Sequence, residues 1–306
     1  MIVRPKPSIG ELFFIMRGSI VPQIAVRVLA IGLISLLVSA FAHVSPASFP
    51  EFTLAPFTIL GLALSIFLGF RNNACYERWW EARKQLGQLL AELRSLAREI
   101  QALFPGQEQA EYRGRVLKRA IAYAHSLVAE LRGEEQILHI GPWLPPGEAA
   151  TLASKRNVAQ AVLTTIATEL GERRREGALS EVLFGMFEMR LASLASIQAA
   201  CERLQATPIP FAYTLLVHRT AYIYCGCLPF GLAGALGWAT PFAAALVAYT
   251  FFGLDALSDE LEQPFGKCQN AMPLSALARD IEIDLMEAGE EVDLPQPLRP
   301  VRYVLQ

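Results

Sequence analysis

Charged residues are scarce in this sequence of 306 residues. Asp, Glu, Lys and Arg make up 18% of it, whereas a typical soluble domain has about 25%. The two signs nearly cancel, with 29 acidic and 27 basic residues, so no overall basic excess points to nucleic acid. Because apolar residues reach 53%, we infer that part of the chain lies in lipid.

The sequence also lacks the short motifs of common enzyme active sites. It contains no Walker loop, no His-Glu-x-x-His, no Cys-x-x-Cys pair and no Gly-x-Ser-x-Gly. Its five cysteines are odd in number and irregularly spaced, which argues against a disulfide framework. The four histidines lie far apart in the sequence. We therefore expect no enzyme activity, no metal site and no cofactor.

Three long runs have no charged residue at all. Residues 28–50 and 52–70 each hold roughly the 20 residues that one membrane-spanning helix needs. Residues 220–254 would reach roughly 50 Å as one straight helix, well beyond a hydrocarbon core of about 30 Å. This run is expected to fold back at the glycine-rich segment 231–241. The prediction is an all-α integral membrane protein with four transmembrane helices, near residues 23–43, 56–80, 214–233 and 240–257.

The positions of Lys and Arg predict the orientation in the membrane. The loops at 44–55 and 232–240 contain neither residue. The opposite ends of the first two crossings are flanked by basic residues, namely Arg4, Lys6, Arg17, Arg27, Arg71, Arg78, Arg83 and Lys84. Both termini are therefore expected in the cytoplasm, with the protein crossing the plasma (inner) membrane several times.

Helical patterns also fill the sequence between the second and third crossings. No proline interrupts residues 57–104, so the second membrane helix is expected to continue into the cytoplasm. Apolar residues recur at helical spacing in three further segments, 116–131, 150–172 and 179–204. We expect a helical cytoplasmic region of about residues 84–210 plus 258–306. It is so closely tied to the crossings that residues 1–306 are interpreted as a single unit.

Three segments resemble the bestrophin family, and they occur in the family's order. Residues 66–83 read IFLGFRNNACYERWWEAR, which resembles the signature at the end of the second membrane helix. Residues 208–214 read PIPFAYT and resemble the entry to the third crossing. Residues 260–266 read ELEQPFG, followed by NAMPL at 270–274, and are similar to the motif after the fourth crossing. The bacterial branch is the most similar.

The resemblance implies a bestrophin-like homopentamer with one axial pathway for permeant ions. In the family, the second membrane helices line a narrow apolar neck, whose residues here would be Leu62, Ile66 and Phe70. Positions i, i+4 and i+8 drift by only about 80° around a helix, so the three can share one face. An aliphatic stripe on a membrane helix also commonly faces lipid or another helix, and the residues alone leave that alternative open.

The family also has a constriction at its cytoplasmic exit, which residues 179–185 resemble. Val182 matches the constriction and Glu181 lies beside it. A ring of carboxylates there would favour cations, although Glu181 is equally interpreted as an exposed acid at a helix start. The similar bacterial members imply a channel for monovalent cations with sodium preferred. The alternatives are a chloride or other anion channel, or a membrane-anchored helical scaffold that conducts nothing.

The calcium site of animal bestrophins is not expected here. In those proteins, a run of acidic residues directly follows the Pro-Phe-Gly motif. At that place, residues 267–272 read KCQNAM, without a carboxylate. Calcium usually requires several oxygen ligands that include carboxylates, so we predict no calcium clasp. The expected partners are thus the lipid membrane, permeant monovalent ions and further copies of this chain.

Overall fold

The structure is a computed structural model that describes residues 1–12, 14–50 and 52–306. Within these ranges there is no β-strand, only isolated bridges that join Val304 to Ile2 and to Val301. The prediction of an all-α fold is therefore confirmed. The α-helices are α1 (Ile9–Leu12), α2 (Val21–Val44), α3 (Ala55–Leu103), α4 (Ala110–Arg132), α5 (Gln136–Ile140), α6 (Pro146–Ala153), α7 (Val158–Arg175), α8 (Glu181–Ala206), α9 (Phe211–Leu236), α10 (Thr240–Glu262) and α11 (Leu274–Ala288).

The chain divides into two compact units. One unit, called the membrane unit below, contains the long apolar helices and comprises Arg4–Trp79 and Pro208–Pro264. The other, called the bundle unit, comprises Met1–Val3, Trp80–Thr207 and Phe265–Gln306. Helix α3 contributes residues to both units, because its 49 residues run without a break across Trp79 and Trp80.

In the part of the chain that the structure describes, three helical stretches are long and apolar enough to cross a membrane, judged by length and composition. They are Val21–Val44, Ala55–Leu103 and Phe211–Glu262. A single 3₁₀ turn at Gly237–Ala239 divides the third stretch into α9 and α10. Gly237 has a φ angle of 51°, a left-handed conformation that glycine adopts without steric cost. The count of four crossings stays a prediction, since each of these two helices would have to cross on its own.

The turn between α9 and α10 lies inside the expected segment 231–241 and begins at its third glycine, Gly237. Helix α9 continues through Gly231 and Gly234 to Leu236, three residues beyond the expected end of the crossing near residue 233. Gly231 serves packing instead, because a Cβ atom there would lie 2.6 Å from the ring of Phe57. Small residues that admit a close neighbour are typical of contacts between membrane helices.

The core of the membrane unit is a contact between the apolar faces of four helices. Helix α2 contributes Ile24 and Ile31, and helix α3 contributes Leu64 and Leu68. The remaining members, from α9 and α10, are Val217, Ala221, Tyr224, Cys225, Leu228, Ala244, Ala248, Phe251, Phe252 and Ala256. The alanines let the backbones approach closely, so dispersion contacts hold helices that gain no hydrophobic stabilisation from lipid.

The bundle unit is organised around α4, whose middle turns are almost wholly buried. The helical pattern at 150–172 is divided in the structure into α6 and α7. The division occurs because Asn157 caps α7, its side-chain oxygen accepting a hydrogen bond of 2.9 Å from the backbone N–H of Gln160. The pattern at 179–204 forms α8, which begins after the capping residue Ser180.

Candidate functional site

Helix α3 has a buried face and an exposed face within the membrane unit. The buried positions between Ala55 and Trp79 are Gly61, Leu64, Leu68, Arg71 and Cys75. Since a helix turns by about 100° per residue, Ile66 lies roughly 180° from the centre of this buried face. The rotation of the helix is therefore fixed by its contacts, and one stripe of side chains is left uncovered within the chain.

The three residues assigned to the neck all lie on this uncovered stripe. Leu62, Ile66 and Phe70 are 65%, 49% and 66% exposed. Large apolar side chains exposed in this way require lipid, a second copy of the chain or an ion pathway on that side. The structure thus brings the three together on one face of α3, and their role in an ion pathway stays a prediction.

A buried ion cluster anchors the opposite face of α3. The Arg71 side chain is fully buried, and its guanidinium lies 2.7 Å from Asp255 and 2.5 Å from Asp259. Glu262 lies at 3.4 Å from the same group. The three acids are spaced i, i+4 and i+7 on α10, which places them on one side of that helix. A buried arginine at this position has to be paired, and these carboxylates satisfy the requirement.

From the sequence alone, Arg71 has two candidate partners, Glu77 on its own helix and an acid near Asp259. The structure selects Asp259 together with its neighbours on α10. Asp255 is also bound by His218, whose Nδ1 lies 2.6 Å from the second carboxylate oxygen. Sequence reasoning did not find His218, because the acid it contacts lies on another helix, 37 residues further along the chain.

Helix α9 also contacts α3 beside the predicted neck residues. The Tyr213 hydroxyl donates a hydrogen bond of 2.9 Å to the backbone carbonyl of Phe67, the residue after Ile66. One turn and a half earlier, Gly61 admits Tyr224, whose hydroxyl oxygen lies 2.5 Å from the place a Cβ would occupy. Sequence reasoning did not assign a role to Tyr213. Its only signal in the sequence was its place in segment 208–214, which resembles the bestrophin family.

The two residues assigned to the cytoplasmic exit lie in the bundle unit, in the first turn of α8. Val182 is 82% exposed, as a side chain facing an ion pathway or a partner surface would be. Glu181 is exposed as well, and it lies 3.1 Å from the guanidinium of Arg174. An acid in the first turn of a helix is stabilised by the helix dipole, so the structure also fits the simpler interpretation of Glu181.

The charges around Glu181 are balanced. Arg173 pairs with Glu176 at 3.3 Å, and Arg175 lies 3.9 Å from Glu172. With the Arg174–Glu181 pair, each arginine of this segment has one acidic partner. The segment therefore presents no net negative charge of its own, which weakens the argument that Glu181 alone attracts cations.

Among the residues that the structure describes, no three His, Cys, Asp or Glu side chains converge as metal ligands would. Lys267, the first residue of the stretch at 267–272, lies 2.9 Å from Glu134 within the bundle unit. The stretch thus contributes a positive charge to an ion pair at this place. The absence of a calcium clasp stays a prediction.

The whole length of the chain is similar to known proteins. Residues 1–287 match the family described as Bacterial/Fungal Bestrophin protein. The voltage-dependent anion channel-forming protein mll4386 of Mesorhizobium japonicum is 46% identical over 94% of this chain and 92% of that protein. The voltage-dependent anion channel-forming protein YneE of Salmonella typhimurium is 42% identical over 100% of both chains.

Solved structures show the same likeness. A bacterial bestrophin homologue from Klebsiella pneumoniae has 35% sequence identity and a TM-score of 0.84, covering 88% of this chain and 100% of the other. The resemblance inferred from the three segments is thereby confirmed, and with it the expectation that the chain is a membrane protein and not an enzyme. The chain belongs to the bacterial and fungal bestrophin family.

Proposed function

We propose that this protein is a homopentameric ion channel that passes monovalent ions passively, with an anion such as chloride preferred. The observation that carries the proposal is the exposed apolar stripe of α3, in a chain whose full-length relatives are named anion channel-forming proteins. Five copies of Leu62, Ile66 and Phe70 around one axis would form three apolar rings. Such rings can gate an ion pathway by expelling water or through their width.

The buried face of α3 supports this arrangement. The Arg71 cluster and the Tyr213 hydroxyl hold the helix against α9 and α10, so contacts within one chain set its rotation. A fixed rotation keeps the same three side chains toward the axis, where the width of their rings controls the passage of water and ions. Val182, exposed on α8, is proposed as the second constriction.

Two observations favour an anion over sodium. The relatives' names refer to anion channels, and the Glu181 carboxylate, on which a cation preference would rest, already has Arg174 as its partner. Sodium preference is the second candidate, favoured by the exposure of Glu181 beside Val182. We further propose four crossings of the plasma (inner) membrane with both termini in the cytoplasm, since the loops at 44–55 and 232–240 lack Lys and Arg.

The reversal potential of purified protein in planar bilayers under a sodium chloride gradient tests the proposal. Native mass spectrometry first establishes that the reconstituted species is a pentamer. A reversal near the chloride potential is the expected result, whereas one near the sodium potential would select the second candidate. A pentamer without current at any voltage would contradict the channel and leave the scaffold alternative.

A further inference from the structure

The uncovered stripe of α3 does not end at Phe70. If Leu62 is set at 0° on a helical projection, Asn73 and Glu77 fall at about 20° and 60°. Both positions lie inside the arc of about 80° that runs from Leu62 to Phe70. Both side chains are exposed within the chain, as the neck residues are. The apolar stripe thus continues into two polar residues one and two turns further along the same face.

A hydrogen bond fixes the two polar residues to each other. The Asn73 side-chain amide donates to a carboxylate oxygen of Glu77 at 2.9 Å. The residues are four apart, the spacing at which side chains meet on a helix surface. The contact uses one of the two Glu77 carboxylate oxygens and holds the group along the stripe. Since the partner is an uncharged amide, the contact leaves the negative charge of Glu77 in place.

The neighbouring basic residues of α3 are directed to α10. Arg71 lies on the buried face with Asp255 and Asp259 as partners, as described above. The guanidinium of Arg78 donates at 3.4 Å to the backbone carbonyl of Glu262. Arg71 and Arg78 thus make their contacts with α10, whereas the Glu77 carboxylate lies on the uncovered stripe.

We infer that Glu77 is a specificity-determining residue of the ion pathway and that Asn73 positions it. The inference rests on the proposed channel, in which five Glu77 carboxylates form a ring directly after the Phe70 ring. Such a ring concentrates cations and repels anions at one mouth of an apolar constriction. Coulomb effects are strong there, because the adjacent apolar wall lowers the effective dielectric constant.

The sign of the effect does not depend on which ion the wild-type channel prefers. Glu77→Gln removes the ring's charge at constant shape and should raise the chloride-to-sodium permeability ratio several-fold. Asn73→Asp adds a second carboxylate to the stripe and should lower the ratio. Asn73→Ala frees the Glu77 carboxylate to move and should raise the ratio less than Glu77→Gln does.

The test measures permeability ratios from reversal potentials under a sodium chloride gradient for wild type and these variants. Glu260→Gln is the matched control, since Glu260 is an acid on α10 that accepts a hydrogen bond from Gln23, away from the stripe. Opposite shifts for Glu77→Gln and Asn73→Asp, with Glu260→Gln unchanged, are expected. A conducting wild type whose ratio Glu77→Gln leaves unchanged, in pentamers of equal stability, overturns the inference alone. A wild type that does not conduct overturns both the proposed channel and this inference.

Discussion

The Arg71 guanidinium lies 2.7 Å from the Asp255 carboxylate, and both side chains are fully buried. The pair joins α3 to α10 on the side of α3 that faces away from Ile66. A buried ion pair contributes little net stability compared with an apolar pair, but removing one partner leaves an uncompensated charge. The relationship therefore fixes which face of α3 remains available for lipid, another copy or ions.

Removing Arg71 should destabilise the folded protein strongly. Arg71→Met leaves Asp255 buried without its cation, and breaking such a pair costs about 3–5 kcal/mol. Thermal unfolding of the detergent-solubilised protein, followed by circular dichroism, measures the loss. Arg94→Met is the control, because its ion pair with Asp284 is half exposed and contributes about 1 kcal/mol or less. Equal unfolding temperatures for the two variants would contradict the assigned role of Arg71.

Two glycines on α3 should respond differently to alanine. At Gly61 the new methyl group would lie 2.5 Å from the Tyr224 hydroxyl, so Gly61→Ala should displace Tyr224 and lower the unfolding temperature. At Gly69, among the described residues and apart from the nearby backbone of α3 and the adjacent residues, no atom lies within 4 Å of the new group. Gly69→Ala should fold at least as well as wild type, since alanine is favoured over glycine in a helix by about 1 kcal/mol.

Gly69 lies next to Phe70, and a glycine there permits the helix to bend. Because packing within the chain does not require this glycine, we predict that Gly69→Ala changes the open probability of single channels. The measurement is a single-channel recording of a variant with wild-type stability. An open probability equal to that of wild type would assign Gly69 to contacts between copies.

The Arg174–Glu181 pair at the predicted cytoplasmic exit can be tested with a double-mutant cycle that removes each charge separately and then both. Glu181→Gln leaves Arg174 unbalanced and should shift the reversal potential toward the chloride potential, whereas Arg174→Gln should shift it toward the sodium potential. Both shifts should shrink at high salt, because the pair is exposed and screened. The double variant restores the balance and should behave like wild type. Four identical reversal potentials would place this pair outside the ion pathway.

A pH dependence is expected from Glu130 in the bundle unit. Burial, together with the charge of Glu202, raises the pKa of Glu130 above its ordinary value of 4.5. One of its carboxylate oxygens is buried and finds no hydrogen-bond partner among the described residues. For an acid whose pKa is raised on folding, the stabilising contribution is complete below the unfolded pKa and is lost as pH rises through the folded pKa.

Glu130→Gln should therefore raise the unfolding temperature at neutral pH and remove the decline of stability that begins above about pH 4.5. Unfolding temperatures measured from pH 4 to pH 8 check this. Glu111→Gln, at an exposed acid in the first turn of the same helix, should keep the wild-type profile. A Glu130→Gln profile with the full wild-type slope would show that another group is responsible.

The apolar pattern predicted the helices well and their ends less well. The expected helix near 23–43 is Val21–Val44 in the structure, because the charge-free run covers most of it and Pro22 suits its first turn. The sequence placed the turn after α9 within 231–241 but could not say which glycine makes it, because a glycine that ends a helix and one that admits the Phe57 ring are the same residue type. The cap at Asn157 was missed for a similar reason, as any asparagine can cap a helix.

The site was predictable only in part. Helical spacing placed Leu62, Ile66 and Phe70 on one face, but spacing alone could not say whether that face is covered by the rest of the chain. Arg71 pairs with Asp255 on α10, which lies 184 residues further along the sequence. Such a contact becomes visible only when the helices are packed. The charge balance at Glu181 likewise depends on how α7 and α8 turn back on each other.

Cysteine modification tests the central claim, that the exposed stripe of α3 lines the ion pathway. Ile66 and Phe67 are adjacent and equally exposed, at 49% and 48%, but their side chains point about 100° apart. Currents are recorded from Ile66→Cys and Phe67→Cys channels before and after a charged methanethiosulfonate reagent, with wild type controlling for the native thiols. The account predicts that the reagent changes the current of Ile66→Cys and spares that of Phe67→Cys. Unchanged Ile66→Cys currents, with mass spectrometry showing the thiol modified, would contradict it.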